Sequence, residues 1–375
     1  MAPFNIFLII FILTTVVYFT DVIFNKQELA QRYKFHIASS IFFILTLIIG
    51  LKGTIGSDYG SYYLDFIYVK EYYEDNFQFK TQSLDFVYEF LTNLVISTEL
   101  TYNYLSLLIG AIFIASIIFF ACKEKDYLLI ILIFLSYHYF ILGMGYIRQG
   151  LSIAFILFFI NSWRNQKIIL SFLFFILAVL SHKFSICYCF LMFIRPKGNW
   201  FYLNIYFYVV LLIGLVVISF KIFSANDILY YIEVYTGEIS KGAYYRILAF
   251  TICALLFFSY KSNFKKRSDY RYLYLSANIL LLLLPLSLIF STMADRIASY
   301  FLPFVFIVLG NLPDTLNKVY SKKIKFFLVF VLFTHLFLWT NLSYQAQYYV
   351  PFHMLDKPSD KINPYKYMNE RKYCC

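Results

Sequence analysis

Charged side chains are scarce in this sequence of 375 residues. Asp, Glu, Lys and Arg make up 14% of it, whereas hydrophobic residues make up 61%. Soluble proteins average roughly 25% charged residues, so the composition excludes an ordinary soluble domain. The apolar residues also gather into runs, which is typical of a chain that crosses a bilayer many times. The sequence therefore predicts an all-α polytopic integral membrane protein.

Cysteine is also rare, and the six cysteines show no spacing with histidine that would indicate a metal site. The terminal pair Cys374 and Cys375 is either a lipidation site or, more simply, part of an exposed tail. No carboxylates cluster at the spacing of metal ligands, and no nucleic-acid-binding motif occurs. We therefore expect no metal, no other cofactor and no nucleic-acid partner.

Twelve apolar runs are candidate membrane spans or half-spans, and several are shorter than the ~20 residues of a full crossing. They fall at about residues 4–20, 36–51, 101–121, 127–142, 147–162, 168–181, 184–194, 201–220, 244–260, 271–291, 297–311 and 324–341. We expect one transmembrane domain over residues 1–341, with a polar outer loop at 52–100 and an irregular tail at 342–375. Because basic residues do not precede the first run, we expect a retained helix there rather than a signal peptide.

Basic residues concentrate on one side of the predicted bundle. Eighteen of the 32 basic residues, but only six of the 21 acidic ones, fall in the segments 21–35, 122–126, 163–167, 195–200, 260–272 and 312–325. These segments carry a net charge of +12 and the remainder of the chain carries −1. Short basic loops stay in the cytoplasm, so the other loops should face outward. The outward set includes the loop 52–100 and the turns at 143–147, 182–183 and 292–296.

Two polar stretches stand at predicted outer helix ends. In "GTIGSDYGSYY", Asp58 is a candidate general base or sugar-binding carboxylate, and the alternative is a turn aspartate that bonds its own backbone. In "GMGYIRQGLSIAF", Gly143 and Gly145 break one helix, so that Arg148 and Gln149 begin the next. A helix N-terminus favours anions and a guanidinium suits phosphate, whereas the alternative is an arginine that reaches to the interface.

Two further stretches share this level of the predicted bundle. His182 and Lys183 in "LSHKFSI" could move a proton or bind phosphate, and the alternative is a pair that caps helices at the interface. In "MADRIASYF", Arg296 opens an apolar run and Tyr300 lies one helical turn further on, while a structural pair with Asp295 is the alternative. Because all four stretches fall on the outer side, we predict one outward-facing site for phosphate or pyrophosphate.

These stretches resemble motifs of the EpsG family, which is grouped with the Wzy-like polymerases of bacterial exopolysaccharide, capsule and O-antigen. The similar motifs are the G-x-D-x-x-x-Y pattern of Gly56, Asp58 and Tyr62, the Arg148–Gln149 pair, the Ser181–His182 turn and the Arg296-x-x-x-Tyr300 pattern. The resemblance covers residues from about 40 to 310, and it gives the tail no meaning.

The resemblance implies a GT-C-like glycosyltransferase in the bacterial inner membrane, with its active site facing the periplasm or the cell exterior. Such an enzyme moves the growing glycan from undecaprenyl pyrophosphate to the next lipid-linked repeat, and a chain-length regulator and a flippase are its implied partners. Arg148 and Arg296 would stabilise the leaving pyrophosphate without a metal, and either Asp58 or His182 would accept the proton. The expected substrate-binding residues are Tyr59, Tyr62, Gln149, Lys183 and Tyr300.

Two other functions are compatible with a cationic outer site. A flippase for lipid-linked oligosaccharides would also bind pyrophosphate, but it should show inverted repeats and a cavity reached from both sides. A membrane acyltransferase would decorate the polymer, but its donor is usually cytoplasmic, whereas His182 is predicted to face outward. The sequence shows no internal repeat, and this favours the polymerase.

Overall fold

The computed structural model describes residues 6–23, 33–76, 85–193, 242–316 and 318–343, together with residues 346, 348 and 349. Every regular element within these ranges is a helix, as the composition predicts. In chain order they are α1 (Ile6–Ile23), α2 (Lys34–Gly50), α3 (Tyr59–Asn76), α4 (Phe86–Ser97), α5 (Tyr102–Ala121), α6 (Tyr127–Leu135), a π-helical segment (Tyr139–Gly145), α7 (Ile147–Arg164), α8 (Ile168–Ser181), a 3₁₀ segment (Lys183–Phe193), α9 (Ala243–Ser259), α10 (Lys261–Phe264), α11 (Tyr270–Leu286), α12 (Ser291–Tyr300), α13 (Leu302–Asn311), a 3₁₀ turn (Pro313–Thr315) and α14 (Lys318–Leu342).

The predicted apolar runs coincide with these helices, except for the run at 201–220, which lies outside the described residues. Two helices are long and apolar enough to cross a bilayer: Tyr102–Ala121, and Val319–Leu342 within α14. Two bent pairs could each form one further span, α6 with the π-helical segment at 65° and α12 with α13 at 54°. The fold is thus that of a helical protein with two to four candidate spans in the described residues. Twelve crossings and a GT-C-like architecture are not confirmed.

One predicted turn is wrong in its position. Residues 292–296 do not form a turn but lie inside α12. The chain turns just before that helix, at residues 287–290, and bends again at Phe301, between α12 and α13. The physical reason is that α12 contains neither Gly nor Pro, whereas Pro303 stands in the first turn of α13, where its fixed φ suits a helix start. Arg296 therefore lies in the middle of a helix rather than at the mouth of one.

The polar loop 52–100 contains two helices. α3 and α4 occupy most of its described residues, and α4 begins within the stretch "SLDFVYEFLTNLV". Buried Tyr88, Leu91 and Val95 line one face of α4, while Phe86, Phe90 and Leu94 are exposed. The loop is therefore a folded layer with its own buried face.

The chain divides into two compact units, Met1–Ala154 with Leu316–Cys375, and Phe155–Thr315. In the first unit, segments predicted to share the cytoplasmic side contact one another. The ammonium of Lys34 donates to the carbonyl of Cys122 at 2.8 Å, and that of Lys325 lies 2.7 Å from the carboxylate of Asp126. Among segments predicted to lie on the outer side, the amide of Gly56 donates to the carbonyl of Tyr348 at 3.0 Å.

The second unit shows the same grouping of its loops. Arg164 and Asp269 come from two segments predicted to be cytoplasmic, and they form an ion pair of 2.6 Å. His182 and Tyr300, which are predicted to lie near the outer side, contact each other. Within each unit, these contacts thus join segments that the charge pattern places on the same side, while the topology itself stays a prediction. Which of the two sides faces the cytoplasm stays a prediction.

Candidate active site

The helix that carries Arg148 begins where the sequence predicts. The chain leaves the π-helical segment at Gly145, and Tyr146 adopts a non-helical conformation (φ −90°, ψ 64°) before α7 starts at Ile147. Gly150 lies so close to the preceding segment that a Cβ atom there would collide with the carbonyl oxygen of Leu142. The break therefore places Arg148 in the first turn of α7, packed against the segment that precedes it.

Four side chains from the 52–100 layer surround the guanidinium of Arg148. Its Nη2 donates to Asp65 Oδ2 at 2.9 Å and its Nη1 donates to Asp85 Oδ2 at 3.1 Å. Its central carbon lies 4.9 Å from the ring centroid of Tyr62 and 5.0 Å from that of Tyr88. The carboxylates hold the edge of the guanidinium and the rings lie near it, so its orientation is fixed from several sides. We call these five residues the Arg148 cluster.

Tyr59 and Tyr62, predicted to bind substrate, are buried within this layer. Tyr59 stacks on Tyr63, and both pack edge-on against Tyr102 from α5. Tyr62 packs at a tilt against Tyr88. These rings form the packing that supports the Arg148 cluster. Gln149 is also buried, so it too belongs to the interior of the first unit.

Asp58 lies in a tight turn together with a buried lysine that the sequence analysis missed. Lys52 is 1% exposed, and its ammonium donates to the carbonyl of Met144 at 2.7 Å. Burial lowers the pKa of Lys52 to about 7, and the charge of Asp58 opposes that shift. Gly56 has φ +125°, and a Cβ atom there would collide with the same Met144 carbonyl. The turn 52–58 is thus fastened to the π-helical segment a few residues before Arg148.

The C-terminal segment completes this arrangement. The hydroxyls of Tyr349 and Ser57 lie 3.3 Å apart, and the Tyr349 side chain is fully buried. A Cβ atom on Gly145 would collide with the Tyr349 hydroxyl. Tyr349, in the tail predicted to be irregular, is therefore packed against the glycine break. Cys374 and Cys375 lie outside the described residues.

In the second unit, His182 and Tyr300 contact each other directly. Nδ1 of His182 lies 2.8 Å from the Tyr300 hydroxyl, and the two rings stack with centroids 6.2 Å apart. The backbone of His182 is extended (φ −165°, ψ 121°), and its carbonyl accepts from the hydroxyl of Ser185 at 2.9 Å. The carbonyl of Tyr300 accepts from the hydroxyl of Tyr188 at 2.7 Å. Both partners are therefore held by their own backbones as well as by each other.

Lys183 follows His182 in the sequence, and Arg296 stands one helical turn before Tyr300. Both side chains are half-buried. A structural pair between Asp295 and Arg296, the alternative for this stretch, stays a prediction. Asp295 accepts two bonds from Arg246, at 2.9 Å from Nε and 2.6 Å from Nη2. Arg246 lies in the first turn of α9. It opens an apolar run as Arg148 does, so the same pattern would have identified it.

The four predicted positions are divided between the units. Asp58 and Arg148 belong to the first, and His182 and Arg296 belong to the second. A single site made of all four stays a prediction. Within the described residues, no three or more His, Cys, Asp or Glu side chains are grouped as metal ligands. What the described residues do supply is an arginine held by two carboxylates, a buried lysine close to Asp58 and a histidine–tyrosine pair.

These features define a helical membrane protein whose charged and titratable groups are held in place by tyrosines and carboxylates. The chain belongs to the EpsG family, whose model matches residues 35–366. EpsG is a family of Wzy-like polysaccharide polymerases. The match extends into the tail, which the motifs alone did not include. No curated protein and no solved structure matches the chain significantly.

Proposed function

We propose that this protein is a polysaccharide polymerase that acts on lipid-linked glycans. It transfers the growing glycan from undecaprenyl pyrophosphate to the next lipid-linked repeat, at the outer face of the bacterial inner membrane. The observation that carries the proposal is the Arg148 cluster, in a chain that belongs to the EpsG family. A permanently charged group at a helix N-terminus, with its orientation fixed in advance, suits a reaction that develops negative charge on a leaving group.

Arg148 is assigned to the leaving pyrophosphate. As the bond between the anomeric carbon and the pyrophosphate oxygen breaks, negative charge collects on that oxygen. A donor that is already oriented does not need to reorganise at that moment, and one such donor contributes roughly 3–4 kcal/mol. We assign Arg296, in the second unit, as a further phosphate-binding residue. Lys183, which adjoins His182, supplies a more mobile positive charge.

His182 is assigned as the general base. In the tautomer whose Nδ1–H donates to the Tyr300 hydroxyl oxygen, Nε2 carries a lone pair that can accept the proton of the acceptor hydroxyl. Asp58 is the weaker candidate, because its charge faces the buried ammonium of Lys52. A single displacement with this base inverts the configuration at the anomeric carbon.

The test supplies the purified full-length protein with its lipid-linked repeat unit and follows glycan length on a gel. The wild-type protein should produce a ladder, whereas Arg148→Ala should lose at least about 100-fold in rate, as expected for a donor at the developing charge. Arg271→Ala is the matched control, since Arg271 is an exposed arginine that also stands second in its helix, α11. Full-length polymer from a well-folded Arg148→Ala protein would overturn the assignment. Movement of the lipid across vesicles without chain growth would indicate a flippase instead.

A further inference from the structure

The two carboxylates on Arg148 differ in their exposure and in their attachment. The Asp65 side chain is 31% exposed and lies within α3, whereas that of Asp85 is 13% exposed and stands at the N-cap of α4. An N-cap aspartate ordinarily bonds the amides of its own helix, but the Asp85 side chain makes no such bond and engages Arg148 instead. Asp85 is thus the more enclosed of the two partners, and Asp65 is the one that solvent reaches.

Asp65 also stands where an anionic ligand would bind. A guanidinium binds carboxylates and phosphates through the same in-plane N–H groups. The rings of Tyr62 and Tyr88 lie within 5.0 Å of the Arg148 central carbon, so the strongest binding positions are those along its edge. Nη2 already donates along that edge to Asp65 at 2.9 Å. A phosphate oxygen that takes this N–H must displace the carboxylate, and one that binds beside it meets the negative charge of Asp65.

We propose that Asp65 sets the affinity of the Arg148 site for phosphate-type anions, by holding the Nη2 position until a more highly charged ligand displaces it. Asp85 remains on Nη1 and keeps the guanidinium in place. The identity of the ligand, a lipid-linked pyrophosphate, rests on the proposed function. Because Asp65 binds Arg148 again after each transfer, the product leaves more readily than it would from an arginine without a competing carboxylate.

Asp65→Asn is the decisive substitution, because the amide keeps the shape of the side chain and can still accept a bond from Nη2. It removes the competing charge, and a bond to a charged partner is worth enough that affinity should change about 10-fold. Isothermal titration of the detergent-purified full-length protein with inorganic pyrophosphate should therefore show tighter binding for Asp65→Asn than for wild type. In the polymerisation assay, the same variant should show a lower KM together with a lower kcat, because product leaves more slowly.

Two controls separate this effect from a general loss of negative charge. Glu74→Gln removes a charge from the same helix, at a side chain that is 62% exposed and paired with Lys70, and it should leave pyrophosphate affinity unchanged. Asp65→Asn in an Arg148→Ala background should also have no effect, because the competition requires the arginine. Asp85→Asn should not tighten pyrophosphate binding, since it weakens the bond that keeps the guanidinium of Arg148 in place.

The proposal is overturned if folded Asp65→Asn protein binds pyrophosphate no more tightly than wild type does. It is also overturned if the gain persists without Arg148 or appears equally in Glu74→Gln. These outcomes are independent of the polymerase assignment. Tighter binding in a protein that never elongates a glycan would keep the anion site and reject the polymerase. Glycan elongation together with unchanged pyrophosphate binding in Asp65→Asn would keep the polymerase and reject the role of Asp65.

Discussion

Nδ1 of His182 and the hydroxyl of Tyr300 lie 2.8 Å apart, although 118 positions separate the two residues in the chain. The sequence singled out both residues, but for different reasons: one as a base, the other as a substrate contact near Arg296. Their contact gives them a joint role, because a hydrogen bond on Nδ1 holds the orientation of the imidazole ring, whichever of the two atoms donates. We therefore propose that Tyr300 positions the ring of His182.

Tyr300→Phe should lower kcat about 10- to 100-fold while KM changes little, since a base that is free to rotate spends less time in the productive geometry. His182→Gln should lower it further, because no group then accepts the proton. The measurement is the initial rate of glycan elongation over a range of lipid-linked substrate concentrations. Tyr274→Phe, at an exposed tyrosine of α11, is the control. An unchanged kcat in Tyr300→Phe would remove the positioning role.

The Arg246–Asp295 pair should contribute to the stability of the second unit. Both side chains are partly buried and the pair has two bonds, so Arg246→Ala leaves a shielded carboxylate without its main partner. We expect a loss of about 1–3 kcal/mol, below the full value for a deeply buried pair because some solvent reaches both groups. Thermal unfolding in detergent would report it. Arg246→Ala and Asp295→Asn should be less than additive, and additive losses would show that the two residues act independently.

Lys52 should make the stability of the first unit depend on pH. Its pKa is lowered by burial to about 7 in the folded protein, against about 10.4 in an unfolded chain. Between these values the unfolded chain binds more protons, so stability should rise with pH by at most about 1.4 kcal/mol per unit and should level off below pH 7. Unfolding temperatures of wild type and Lys52→Met, measured from pH 6 to pH 9, would isolate this component. Parallel curves for the two proteins would contradict it.

Gly145 and Tyr349 should be coupled. Gly145→Ala places a methyl group against the Tyr349 hydroxyl, so it should destabilise the protein by about 1–3 kcal/mol. Tyr349→Phe alone should cost little, since its contact with Ser57 is long at 3.3 Å. In the double variant, removal of the hydroxyl should restore part of the loss. A double variant as unstable as the sum of the two single variants would mean that the tail does not pack on the break.

How much the sequence could predict differs between the fold and the site. Apolar runs locate helices, because burial in lipid or in a bundle requires the same composition over a fixed length. Gly143 and Gly145 also predict correctly where the helix of Arg148 begins. The turn predicted at 292–296 was misplaced because a polar stretch can lie inside a short helix. This happens when the helix-breaking residues stand outside the helix rather than within it.

The partners of the site residues were much harder to predict. Asp65 and Asp85 are two of eight acids in the segment 52–100, and nothing in their spacing relates them to an arginine more than 60 positions away. Such pairings depend on how α3, α4 and α7 pack, and one sequence does not carry that information. Lys52 offered a stronger clue, since it stands directly after an apolar run and before a glycine. A lysine at such a position either reaches the membrane interface or is buried against a hydrogen-bond acceptor.

Arg148 also has a consequence for the length of the chain around it. By binding Asp65 and Asp85 together, one guanidinium closes the stretch between them as a reversible cross-link would. Doubling the length of a closed loop raises the entropic cost of closure by only about 0.6 kcal/mol. Insertions into this stretch should therefore cost little stability, provided that an acid remains at each end to meet the arginine.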